Sequence, residues 1–181
     1  LNCGIGRAHL CPESRLVGIA LPGGLAEYVC VPESLLHPLP AGLSRKAAGL
    51  AEPMAVCVRG ARIGQIGLGD RVAIIGAGTI GLLSIVTARQ AGASEVLITA
   101  RHPHQQELAR ALGADRVYTD SKALLAEVGD QHVDVVVETV GGKAETLTES
   151  VRVARSGGRI SLLGVFTHNP ALPGMPCFSK E

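Results

Sequence analysis

From residue 71 onward the apolar positions alternate between short unbroken runs and longer stretches with helical spacing. Residues 72–75, 96–99, 116–118, 133–137 and 159–163 are short apolar or β-branched runs, each the length of a strand buried on both faces. Between them, residues 79–91 are apolar almost all round, as in a helix lying against a sheet. A second helix is predicted from Pro103, a favourable first-turn residue, to a stop at Gly113. A third is capped by Ser121 and ends at Gly129. The fourth spans residues 143–155, with Ala144, Leu147, Val151 and Ala154 on one face, and stops at Ser156, Gly157 and Gly158. Strands alternating with helices predict an α/β fold: a doubly wound parallel sheet with right-handed crossovers.

The first 70 residues have another texture. Residues 23–31 run from a glycine turn into β-branched positions and predict a strand. Ser44 caps a short Ala-rich helix. Glu52 and Pro53 interrupt it, and residues 54–62 restart it with Pro53 in the first turn. After Leu163 the chain reads as a Pro-rich loop. It opens without a Met, on Leu1 in mid-loop, and reads as a piece of a longer protein.

Composition narrows the function classes. Aromatics make up 2% of 181 residues, so the core must be aliphatic, which suits a buried parallel sheet. A net charge of +1 without a basic run gives no footprint for nucleic acid or an anionic membrane surface. No run has the length of a transmembrane helix, and the default expectation is a cytoplasmic protein. Five scattered cysteines form no disulfide framework.

The chemistry concentrates where the first strand meets the first helix. Gly76, Ala77, Gly78, Thr79, Ile80 and Gly81 spell Gly-x-Gly-x-x-Gly between an apolar strand and an apolar helix. The first glycine permits the turn, the second admits a pyrophosphate close to the backbone, and the third lets helix pack on strand. With 23 glycines in the chain a chance match is easy, so the strand–turn–helix order carries the inference. The alternative is a parallel-sheet turn that binds nothing.

Taken with residues 24–28 (GLAEY), Pro32, Leu39 and Pro40, residues 50–53 (LAEP), 69–72 (GDRV), 112–115 (LGAD) and 157–160 (GGRI), the chain resembles the zinc-dependent medium-chain dehydrogenases, the alcohol dehydrogenase family, and most of all its sorbitol and polyol dehydrogenase-like branch. The resemblance implies two parts: residues 1–45 as a remnant of a barrel-like, β-rich catalytic domain, and residues 46–181 as a Rossmann cofactor domain ending before its last strand. It implies a homo-oligomer in the intact protein. It also implies that the fifth strand is left as an exposed edge, with poorer solubility or altered association.

Cys3 and Cys11 alone are two loop thiols, too few for a closed zinc shell. The family's structural-zinc lobe reads Cys-x2-Cys-x2-Cys-x7-Cys, and the resemblance aligns these two with its last members. Glu52 by itself is a helix-end carboxylate; in the polyol branch the Glu of this Glu-Pro pair approaches the catalytic zinc. The family's other catalytic ligands, a Cys and a His-Glu pair, have no match, so the chain by itself is expected not to turn over substrate. Cys30, Cys57 and Cys177 read as core or loop, and His102 and His104 as exposed residues flanking a turn proline.

Cofactor choice turns on Ala100 and Arg101. An NAD-specific unit carries an acid about 20 residues past the glycines to hold the ribose hydroxyls. Here Ala100 stands where relatives carry Asp, and Arg101 follows. Loss of the carboxylate removes repulsion of a 2′-phosphate, and a guanidinium can bind that phosphate through two parallel hydrogen bonds. NADP is therefore expected over NAD, the alternative being a solvated Arg101 and lax specificity. Topology adds Val140 after the fourth strand, with Gly164 and Val165 after the fifth, to the nicotinamide half. The reading is the cofactor-binding part of a zinc-type alcohol or polyol dehydrogenase using NADP, with zinc in the intact protein and a small alcohol as substrate. The alternatives are a zinc-free, quinone oxidoreductase-like reductase and a non-catalytic dinucleotide-binding module.

Overall fold

The computed structural model describes residues 3–129 and 132–180. The chain's opening Leu1 and closing Glu181 lie outside the described residues. The chain divides into two compact units, Leu1–Leu43 and Ser44–Glu181.

The described part of the first unit holds 3-10 turns at Cys3–Ile5, Ala8–Leu10 and Glu33–Leu35 and one isolated bridge, Val17 to Leu21. The strand expected over 23–31 does not form. A strand needs a hydrogen-bonded neighbour, and none pairs with this segment among the described residues, so Leu25, Tyr28 and Val29 stay exposed.

The second unit begins with α1 (Arg45–Ala48), whose Ser44 cap accepts the Ala47 N–H, and α2 (Ala51–Ile63). The predicted break at Glu52 and Pro53 lies instead at Gly49 and Leu50, and Pro53 sits inside the first turn, where its absent N–H has no partner to lose. Then come β1 (Arg71–Ile75), α3 (Thr79–Ala91), β2 (Glu95–Thr99), α4 (Pro103–Ala111), β3 (Arg116–Tyr118), α5 (Ser121–Val128), β4 (Val133–Glu138), α6 (Thr146–Val153), β5 (Ala154–Leu162) and α7 (Gly174–Ser179). The sheet is parallel, in the order β3-β2-β1-β4-β5. This is the predicted doubly wound arrangement, with its switch point where the chain crosses from one side of β1 to the other.

Alternation along β1 sorts the core into two layers. Val72 and Ile74 join Ile85 and Ala88 of α3, Ala109 of α4, and Val135 and Val137 of β4. Ala73 and Ile75 join Leu124 and Val128 of α5, Val136 of β4, and Val153 of α6. Helices cover both faces, and so the strands read as continuous apolar runs.

Local boundaries depart from expectation for identifiable reasons. Asp120 rather than Ser121 caps α5, its Oδ1 accepting the Ala123 N–H at 2.8 Å. Helix α6 is shorter than the 143–155 expected, because residues 141–142 are held against the segment after β5 and Ala154 already belongs to β5. The Ser156–Gly158 stop becomes a register irregularity inside β5, with Gly157 at φ +68°. The Pro-rich tail contains α7, which the sequence reading missed.

Charged groups tie the starting edge of the sheet. Glu95 bridges Arg71 at 2.5 Å and Arg116 at 3.1 Å, Asp134 takes Arg155 at 2.6 Å, and Asp70 takes both terminal contacts of Arg159 Nη2 at 2.9 and 3.0 Å. Arg89 pairs with Asp115.

Candidate cofactor cleft

At the end of β1 the chain turns at Gly76, whose φ of +102° is one that side-chain-bearing residues rarely adopt. Two hydroxyls hold the turn. The Gly76 N–H donates to Thr99 Oγ1 at 2.8 Å, and Thr139 Oγ1 donates to the Ile75 carbonyl at 2.8 Å. One comes from β2 and the other from the end of β4, so the strands flanking β1 pin its exit from both sides.

The three fingerprint glycines differ in what a side chain would meet. A Cβ on Gly76 would lie 2.7 Å from Val140 Cγ2 and 2.8 Å from Thr139 Oγ1. A Cβ on Gly81 would collide with the Gly76 carbonyl oxygen, the close helix–turn approach expected of the third glycine. A Cβ on Gly78 would meet nothing within 4 Å. It would project into an open cradle, where Thr79, Ile80 and Gly81 offer N–H groups with no partner among the described residues.

The cradle opens on a cleft of about 700 Å³. Of the residues named from sequence, Gly76, Ala77, Gly78, Arg101 and Val140 line it. Thr79, Ile80 and Gly81 stand behind as the start of α3. Ala100 is 1% exposed and belongs to the apolar layer under the cleft floor, while Arg101 is exposed at the rim. Gly164 and Val165 do not line the cavity; their backbone braces its far wall.

That wall is organised by Glu138, the fully buried last residue of β4. Its Oε1 accepts the Val140 N–H at 2.9 Å, the Gly141 N–H at 3.0 Å and the Thr146 hydroxyl at 2.7 Å. Its carbonyl accepts from Leu163 at 2.8 Å and Gly164 at 3.0 Å. Oε2 has no partner among the described residues and lies against Gly164, where a Cβ could not fit beside it. Farther out, the Gly142 N–H donates to Val165 O at 2.8 Å and the Thr167 N–H to Gly142 O at 3.0 Å, closing the loops after β4 and β5 together. Sequence reasoning missed Glu138; its one signal is an acid directly after the three valines that end the apolar run of β4. It also missed Lys122, His102, Gln105, Glu145 and Glu149, which line the cleft.

The residues present fit a dinucleotide: an open cradle behind Gly78, unbonded N–H groups, and an unpaired cation at the rim. By themselves they are too few to close a zinc shell. Cys11 lies beside Cys3 and pushes the Cys3 thiol up, first by hydrogen bonding to it and then by like charge. Glu52 is exposed in the first turn of α2. Among the described residues no three His, Cys, Asp or Glu side chains come together as a metal-holding group, and two thiols are half a tetrahedral shell. No described helix is long and apolar enough to cross a membrane.

Comparison with known proteins agrees with this geometry. The family model for zinc-binding dehydrogenases matches residues 79–181. The L-threonine 3-dehydrogenase of Rhizobium johnstonii is 37% identical over 169 residues, covering 91% of this chain and 48% of the relative. That of Chromobacterium violaceum is 32% identical over 176 residues, 94% of this chain and 51% of the relative. This chain therefore spans about half the length of the curated relatives it matches. A structure from Sinorhizobium meliloti 1021, assigned as a zinc-binding dehydrogenase and bound to NADP, superposes with a TM-score of 0.89 at 35% identity, covering 99% of this chain and 55% of that one. The alcohol dehydrogenase of Thermus sp. ATN1 gives 0.88 at 33%, with 99% and 55% covered.

Proposed function

The chain belongs to the zinc-binding dehydrogenase family, and we propose that it is the cofactor-holding part of a dehydrogenase that moves hydride between a primary or secondary alcohol and NADP. The observation that carries the reading is that the glycine cradle and the unpaired Arg101 guanidinium line one cleft, to which β2 contributes no carboxylate. When bound, the nicotinamide supplies the hydride-accepting carbon. The chain's own residues do the rest of the binding work. The N–H groups at the start of α3 hold the pyrophosphate, with the positive end of the helix dipole behind them. Arg101 pairs with the 2′-phosphate. The loop fixed by Glu138 carries Val140, and the loop bonded to it carries Gly164 and Val165, so both present a fixed backbone to the nicotinamide side.

For the intact protein the reading includes zinc, to which this chain contributes Cys3 and Cys11, with Glu52 near a catalytic ion, and a homo-oligomeric assembly. Residues 1–45 are assigned to the catalytic domain and 46–181 to the cofactor domain. The threonine dehydrogenase relatives favour a secondary alcohol as substrate, and the zinc-binding dehydrogenase family model favours a zinc-type enzyme over a zinc-free reductase. Without the family's catalytic Cys and His-Glu ligands, the chain alone is expected to bind cofactor without oxidising alcohol.

Fluorescence titration with NADPH and NADH tests the cofactor choice. NADPH should bind roughly tenfold tighter, as expected for a charge-assisted pair, and Arg101→Ala should remove that advantage. Equal or tighter NADH binding by the unsubstituted chain overturns it.

A further inference from the structure

The rim of the cleft carries a second cation, and we propose that Lys122 is a specificity-determining residue that shares the 2′-phosphate with Arg101; this rests on the NADP reading above. Arg101 follows the end of β2, and Lys122 lies in the first turn of α5, just past β3. These two strands are paired through Thr99 and Tyr118, and the Ala100 N–H continues the ladder onto Tyr118 O at 2.7 Å. Two neighbouring strand ends thus deliver one guanidinium and one ammonium to the same cleft.

Both side chains are exposed, and among the described residues neither takes part in a hydrogen bond or ion pair, unlike Arg71, Arg89, Arg116, Arg155 and Arg159. The acid beside them, Asp120, has Oδ1 engaged by the Ala123 N–H. The other acids lining the cleft, Glu145 and Glu149, come from the β4 side.

Charge balance supplies the reason for two cations. A phosphate monoester carries about −1.5 to −2 at pH 7, so one guanidinium leaves close to one negative charge unmatched. A bidentate guanidinium occupies two of the phosphate oxygens, and an ammonium, a compact point charge on a flexible stem, can approach the third.

The test uses adenosine 2′,5′-bisphosphate and adenosine 5′-monophosphate as probes, with calorimetry on the chain and its variants. The two probes differ only in the 2′-phosphate, and no turnover is needed. Lys122→Met should weaken the bisphosphate roughly tenfold and leave the monophosphate unchanged, and Lys122→Arg should restore most of the loss. The bisphosphate preference of the Lys122→Met chain should also fall less steeply with salt. If Lys122→Met leaves the ratio of the two affinities unchanged, or weakens both probes equally, while Arg101→Met lowers the ratio, the Lys122 assignment fails and the NADP reading stands. If the unsubstituted chain shows no preference for the bisphosphate, both fail.

Discussion

Gly78 and Gly81 are three residues apart in one motif, yet the space around them predicts opposite phenotypes. Gly78→Ala places its methyl in open space at a φ of −74° that any residue adopts, so the thermal midpoint should hardly move. The same methyl fills the cradle, and NADPH affinity should fall roughly tenfold or more as phosphate contacts are lost. Gly81→Ala drives a carbon onto the Gly76 carbonyl, and the overpacking should cost about 1–3 kcal/mol. Thermal melts and NADPH titration of the two variants check the contrast; equal stability loss in both would refute it. The motif was legible because its glycines answer to backbone sterics, which spacing encodes. Glu138 was not legible. Two of its three donors, Val140 and Gly141, are only two and three residues on, but it is the fold of the loop that turns their N–H groups back onto the carboxylate, and the third comes from α6.

Elements show the same division between local and distant causes. The first four strands were read within a residue of their observed positions because buried parallel strands write unbroken apolar runs, whereas β5 begins five residues before the expected start, ahead of glycines that read as a stop. The cap of α5 was misassigned by one residue, Ser121 for Asp120, since both types cap and only geometry chooses. The strand expected over 23–31 carries suitable residues but gains no pairing partner among those described, and pairing is not a property of one segment. At the start of β4, Asp134 joins three elements. It accepts the Arg71 N–H at 2.8 Å and the Arg155 guanidinium at 2.6 Å. Burial raises its pKa, but the Arg71 N–H and the Arg155 guanidinium outweigh that and hold it below the usual 3.8. A carboxyl depressed in the folded state contributes stability that is whole above its unfolded pKa and is lost as pH falls through the folded one. Asp134→Asn should therefore lower the melting temperature at pH 7, and the gap to the unsubstituted chain should narrow below about pH 4. A gap that stays constant from pH 7 to 3 would show that the carboxylate's charge plays no part.

At the scale of the molecule, β5 is one of the two edge strands of the described sheet, and one of its edges is unpaired along most of its length. Lys180 covers one end: its carbonyl takes the Gly157 N–H at 2.6 Å, and its ammonium reaches the carbonyls of Val151, Arg152 and Ala154 near the end of α6. The remaining edge groups are a template for another strand, so light scattering should show association that grows with concentration. A clean monomer across that range would count against it. Strand order also distributes labour. On the proposed reading, the groups that meet the adenosine end leave β2 and β3 and the backbone that meets the nicotinamide end leaves β4 and β5, while the turn after β1 is tied by one hydroxyl to each half. That reading makes the choice of coenzyme tunable at one side of the sheet while the other side keeps its shape, so that redox partnership and chemistry would be separately editable.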